Sequence, residues 1–483
     1  MANHNFGPRV GVAYEVLPRT VIRASYGLIY MAKTGSWFLS GARWNVGYGD
    51  SVRLAQGGTA DGGLTYPLTF SNPMPNGAGY IPFTRDINAL NQSVVGNWWL
   101  SGTAKNNAGR EHNVQMAIQR ELGSGRNAWV VEMAYNSSMG RGLPTWLGVG
   151  EHILPDAYHK IGYLGSNLLT PVPNPFYGQI PAGTAHSGAM IPLGELYELN
   201  PLWSQISTNG DPDGTSNYNS GYVQIEHRFS GGFMANYTLS KLMQDCGGVD
   251  YTSPADTLTQ AGLGRADVYS LSPSDSRHRV VLNYSVELPF GKGKHFLNDT
   301  QSLGGKLLDK VVGGWVAAGY TTIRSGQYLG VSGSNTLWWI AGQSNNSGAS
   351  ERPSFVFPRV PYDNDVCGHA ALIGSANSSP YMNRGSFRLA EATPTLLEIG
   401  DTGPVIPNLV GAAFSQWDFS LMKNFSLGSN EARYFQLRFE AQNVFNHMNA
   451  GNPDGAIISL TFGTITSQNG IPRQAMVAAK LYF

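Results

Sequence analysis

Apolar and polar residues alternate one by one in eleven segments of this chain, and each reads as a β-strand with one greasy and one mixed face. The clearest is Tyr434–Phe445, with Phe435, Leu437, Phe439, Ala441 and Phe445 against Gln436, Arg438, Glu440 and Gln442. The last, Gln474–Phe483, sets Ala475, Val477, Ala479, Leu481 and Phe483 on one face and stops on the aromatic ring. Phe6–Val16, Val21–Tyr30, His112–Leu122, Ala128–Asn136, Tyr222–Phe229, Gly232–Lys241, Arg279–Leu288, Gly314–Tyr328 and Gln416–Phe425 complete the set. His227 falls on the apolar side of its segment, with no reason beyond a nearby strand end.

The connections alternate in kind. Leu17–Thr20, LGSGRN, Ser230-Gly231, a basic stretch beginning PFGKGK, and LGSNEA are short or medium links. Between them run long polar loops, reaching to about Arg110, Asn217 and Ala413. DPDG (Asp211–Gly214) and NPDG (Asn452–Gly455) lie in these loops as turn formers. A soluble sandwich predicts no such rhythm. Outer-membrane barrels have it, with short periplasmic turns, long external loops and an apolar outer band. The opposite face carries Arg23, Gln115, Glu132, Gln224, Glu226, Arg228, Asn236, Glu287, Asp418 and Arg438, too polar for a dry core and suited to a wide lumen. The expected fold is therefore all-β: a transmembrane antiparallel β-barrel with long extracellular loops, placed in the outer membrane of a Gram-negative bacterium. Eleven strands is an odd number and half of the roughly 22 of plugged transporters, so residues 1–483 are expected to be the C-terminal half of such a barrel.

Composition agrees. Charged residues make up 13% of the chain, against about 25% in average soluble proteins. Thirty-two basic residues balance 32 acidic ones, which argues against a nucleic-acid partner. With a mean hydropathy of −0.19 and no apolar run of about 18 residues, no transmembrane helix is expected. Nor does the start, MANHNFGPRV, read as an export signal; either the protein is not exported or Met1 is not its true start.

Candidate chemistry is sparse. Asp275, Arg277, His278 and Arg279 look like a charged cluster, but they read better as the start of a strand at the external rim. Asp363, Asn364 and Asp365 beside Cys367 and His369 match no metal loop. Cys246 and Cys367 both fall in external loops, where a disulfide and two free thiols are both open. No HExxH, GxSxG or phosphate-binding loop occurs, and neither a catalytic residue nor a cofactor is expected. Tyr26, Tyr30, Trp129, Tyr135, Trp417 and Phe483 point outward, as interfacial aromatics meeting outer-membrane lipid do.

The motifs FGPRVGVAYEV–RTVIRASYGLIY, HNVQMAIQREL, NYNSGYVQIEHRFSGGFMANYTLSK, SDSRHRVVLNYSVELPFGKGK, GGWVAAGYTTIRSGQ, QWDFSLMKNF, LRFEAQNVFNHMNAGNP and FGTITS…PRQAMVAAKLYF occur in that order. Together they resemble Oar-like TonB-dependent receptors along all the strands, though not in the long loops. The resemblance implies a 22-stranded barrel, an N-terminal plug, and energy-coupled uptake through the TonB complex. On that resemblance, the plug, coupling segment, signal peptide and first barrel half are expected to be missing from residues 1–483. The resemblance also implies that Leu481 and Phe483 form the signal read by the barrel-assembly machinery. The expected function is ligand capture by the external loops and energy-coupled uptake in the full-length protein. The ligand, whether small molecule, glycan or peptide, is not legible. A passive porin and a surface binding protein anchored by its barrel are the alternatives.

Overall fold

A computed structural model describes residues 5–31, 100–102, 108–125, 128–148, 170–179, 187–193, 196, 206–227, 232–245, 269–297, 302–333, 353–356, 360–362, 380–389, 392–393, 396–397, 401–427 and 433–483. Eleven strands form one antiparallel meander, each paired with its neighbours in chain order. They are β1 (Arg9–Leu17), β2 (Thr20–Tyr30), β3 (Arg110–Leu122), β4 (Trp129–Gly148), β5 (Ile206–His227) and β6 (Phe233–Gln244). Then follow β7 (His278–Glu287), β8 (Trp315–Arg324), β9 (Phe414–Ser426), β10 (Tyr434–Gln442) and β11 (Gln474–Tyr482). Leu100–Gly102 adds in parallel to the start of β5, and Ser270–Leu271 to the end of β6.

Register carries the alternation from strand to strand. Tyr14, Ile22, Ile118, Met133, Val223, Tyr237, Val280 and Ile323 stand opposite one another in turn, forming a single apolar row across β1 to β8. On the other face Gln119, Glu132, Gln224 and Asn236 form a polar row. Since side chains change face at every residue, a slip of one position would exchange the two faces. The sheet thus has one continuous apolar face and one polar face. β1 and β11 are its outer strands, each paired on one side only among the described residues.

The expected strand bounds need four corrections. β4 runs twelve residues past Asn136 and β5 starts sixteen before Tyr222, so the DPDG segment lies within a strand rather than a turn. Asp211 pairs with Thr145, Pro212 with Pro144, and Gly214 with Leu143, with register shifts absorbing the two prolines. The backbone ladder runs through this hairpin, and Arg141 adds side-chain bonds to Ser216 O and Asn217. β8 stops at Arg324 rather than Tyr328; beyond it only isolated bridges pair Gln327 with Ser276 and Tyr328 with Val410. β10 stops at Gln442 because Asn443 and Asn446 take positive φ, 48° and 52°, and turn the chain. Finally, the PFGKGK connection contains a helix, α1 (Leu303–Val312), with the Ser302 side chain accepting from Gly305 N–H as N-cap.

The principal packed apolar cluster lies off the sheet, at its long-loop end. Leu329, Val331, Val360, Tyr381, Met382, Phe387, Ile406, Leu409, Ala450, Ile457, Phe462 and Ile465 pack together there. Segments from the two long connections, β8 to β9 and β10 to β11, therefore share one core.

Candidate functional site

The polar face is built from charged and amide side chains that pair across strands around Arg23 and within strands around Asp418 and Glu440. Arg23 on β2 donates to Gln119 at 2.7 Å and forms an ion pair with Glu132 on β4. Tyr222 on β5 donates to the other carboxylate oxygen of Glu132 at 2.5 Å. Farther along, Asn283, Ser285, Tyr320, Asp418, Glu440 and Gln442 line a concavity of about 360 Å³ on β7 to β10. Arg438 and Glu440 pair at 2.6 Å, while Asp418 accepts from Asn443 N–H at 3.0 Å and from the Gln416 amide at 3.0 Å. This surface offers donors and acceptors to water or a polar partner.

The loop cluster above it is held by buried polar anchors. Asn449 accepts from Ser415 N–H at 2.7 Å and donates to Ser415 O at 3.0 Å. Asn443 donates to His447 O and Ile471 O and accepts from His447 N–H. In NPDG, Asp454 accepts from Ala456 N–H at 2.9 Å and from Thr461 Oγ1 at 2.8 Å, while its backbone bonds Gly463 and Thr464, so the segment joins distant loop residues instead of closing a backbone turn of its own. Burial pulls the Asp454 carboxyl upward, but bonds from Ser459, Ala456 and Thr461, with Arg384 nearby, outweigh it and hold it below the ordinary carboxylate range. Tyr381 donates to Val410 O at 2.6 Å, and Arg384 sits over the Phe462 ring at 5.5 Å.

The residues of the DSRHR segment do not converge. Asp275 is 3% exposed in a turn, where its N–H donates to Ser272 O at 3.0 Å. Burial pushes its carboxyl up, against the Leu242 N–H, Arg277 and Lys241. His278 meets Tyr237 at 2.8 Å on the apolar face, whereas Arg279 belongs to the polar face. Tyr26 and His112 repeat the Tyr237–His278 contact at 2.9 Å on β2 and β3. In both pairs the histidine stands two residues before the tyrosine's direct partner, Val114 or Val280. His227 is explained in the same way: it faces Trp129 directly, with ring centroids 4.3 Å apart, at the short-turn end. Tyr26, Trp129, Tyr135, Trp417 and Leu481 lie on the apolar face, and Phe483 is 97% exposed at the end of β11. Asp363, Asn364, Asp365, Cys367, His369 and Cys246 lie outside the described residues. Among the described residues no three His, Cys, Asp or Glu side chains converge as a metal site. The missed features, the shared loop core and α1, leave a sequence signal only in the spacing of Leu303, Leu307 and Val311.

A sheet with one continuous apolar face, one polar face, short turns at one end and long loops at the other defines a transmembrane β-barrel wall. The family described as "Outer membrane beta barrel domain" matches residues 1–475, and the chain belongs to it. Its apolar face therefore meets lipid, in the outer membrane of a Gram-negative bacterium. The fold is similar to that of the outer-membrane transporter YddB from Escherichia coli, at 11% identity and a TM-score of 0.44 over 100% of this chain and 41% of that one. It is also similar to the ferric citrate transporter FecA (9%, TM-score 0.35, 99% and 38%). A third similar structure is the Pseudomonas aeruginosa ferripyoverdine receptor bound to ferripyoverdine (12%, TM-score 0.36, 99% and 33%). The chain spans well under half the length of these structures. No curated protein matches it by sequence.

Proposed function

We propose that this chain is the C-terminal portion of the barrel of an Oar-like TonB-dependent receptor, whose external loops capture a ligand for energy-coupled uptake. The observation that carries the reading is the pair of open edges. β1 and β11 each have one unpaired side among the described residues, and no membrane-spanning sheet can leave such an edge to lipid. Further strands of the same barrel satisfy both edges. The polar face of Arg23, Glu132, Asp418 and Glu440 supports a lumen wide enough for a plug. The packed loop cluster at the external end supports capture, since a binding surface must be pre-organised. Leu481 and Phe483, at the end of the last strand, are proposed as the signal for the barrel-assembly machinery.

An immunoblot of outer membranes with an antibody to the loop following β10 tests the reading. The expected product is far larger than the 52.1 kDa of this chain. A band at 52.1 kDa would overturn it in favour of a small barrel.

A further inference from the structure

On the periplasmic side, α1 carries Leu303, Leu307 and Val311 at helical spacing on one stripe. They are 82%, 66% and 66% exposed, and no residue of the helix is buried. Two sets of contacts fix where that stripe points. Asp309, on the opposite side of the helix, accepts from Lys292 N–H at 2.7 Å, so that side rests on the Gly291–Lys294 turn and the stripe faces away from the protein. At the helix C-terminus Lys423 donates to Lys310 O at 2.7 Å and to Gly313 O, and the Trp315 indole donates to Val311 O at 2.8 Å.

Trp315 and Lys423 stand directly opposite each other on β8 and β9, on the same face as Phe419, Leu421 and Phe425. That is the lipid-facing side of the wall. α1 is therefore fastened outside the barrel rather than under its lumen, and its bare stripe continues the apolar surface of the strands. Lys306 and Lys310 border the stripe along one side, while Lys294 is paired with Glu287. An apolar stripe with lysines along one side, beside a lipid-facing wall, matches the chemistry of a bilayer interface. We propose that α1 is an interfacial anchor, lying among the phospholipid headgroups of the periplasmic leaflet. The stripe enters the acyl boundary, and Lys306 and Lys310 meet anionic phosphates.

The test is a spin-label scan of residues 303–311 in the whole protein, with Cys246 and Cys367 replaced by Ser. The protein is reconstituted in vesicles of phosphatidylethanolamine and phosphatidylglycerol. Collision with oxygen reports lipid, and collision with a water-soluble nickel chelate reports water. The expected result is an oxygen-to-nickel ratio several-fold higher at Leu303, Leu307 and Val311 than at Lys306 and Lys310. Nickel access at all five positions would overturn the proposal. So would shielding of the stripe from both reagents, which would mean that protein covers it. Failure of the label at one site to allow folding leaves the other stripe positions to decide.

Discussion

Gly319 shows how far a single residue can be dictated by its neighbour across the strand. It stands opposite Tyr284, and a Cβ there would collide with the hydroxyl tip of that side chain and come within 2.9 Å of Asp418 O. The tyrosine lies over the bare backbone, as aromatic side chains do over strand glycines. Gly319→Ala is expected to cost about 1–3 kcal/mol by overpacking, read by urea unfolding in lipid, and to cost less when combined with Tyr284→Ala. Asp454 supplies a second expectation. Its carboxyl is held below the ordinary value of 3.8, so the folded loop gains stability from the ionised form at neutral pH. That gain is lost as pH falls through the lowered folded value. Acid should therefore loosen the loop around 454–464, and Asp454→Asn should loosen it at neutral pH; hydrogen exchange of the Ala456 and Gly463 amides would show both. Such roles are only partly legible in sequence. NPDG reads as a turn, whereas Asp454 bonds Ala456, Thr461 and Gly463, and Gly319 reads as a weak strand position until Tyr284 is placed opposite.

Each strand of the meander was legible where its outer face meets lipid, because the bilayer demands an apolar residue at every second position. Legibility ended where that demand ended. The outer parts of β4 and β5 have backbone pairing but no stripe, so a run such as STNGDPDGTSNYNSG reads as loop. α1 hid for a different reason: ten residues inside a basic connection give too few turns for a helical period to stand out. The final strand lies at the other extreme. β11 pairs with β10 over its whole length, Phe435 opposite Leu481 and Gln442 opposite Gln474. Deleting Phe483 leaves that ladder intact, so its expected effect is on assembly. Outer-membrane insertion of the full-length protein should fall while the inserted fraction keeps its stability. Unchanged insertion would remove Leu481 and Phe483 from the proposed signal.

The whole molecule divides into a wall stabilised by its backbone ladder and its lipid, and a loop cluster stabilised by burial. Leu409 is fully buried at the centre of that cluster, donating its N–H to Ile406 O while its own carbonyl accepts from Leu329. Leu409→Ala should destabilise the cluster by about 2–5 kcal/mol and leave the wall in place. External proteolysis of intact membranes would then cleave the loops faster, with unchanged strand content by circular dichroism. Parallel loss of strand content would show that wall and cluster fold as one unit.

The residue order by itself determined the strand number, the face of each side chain, the alternation of turns and loops, and hence the membrane. These follow from local periodicity, which a strand in a bilayer imposes residue by residue. Tertiary structure decided what no local period encodes. It placed Tyr381, Leu409 and Phe462 from distant loops in one core, seated His227 against Trp129, and set Lys423 beneath the end of α1. Those contacts join residues separated along the chain, and their only signature is the three-dimensional proximity that folding creates.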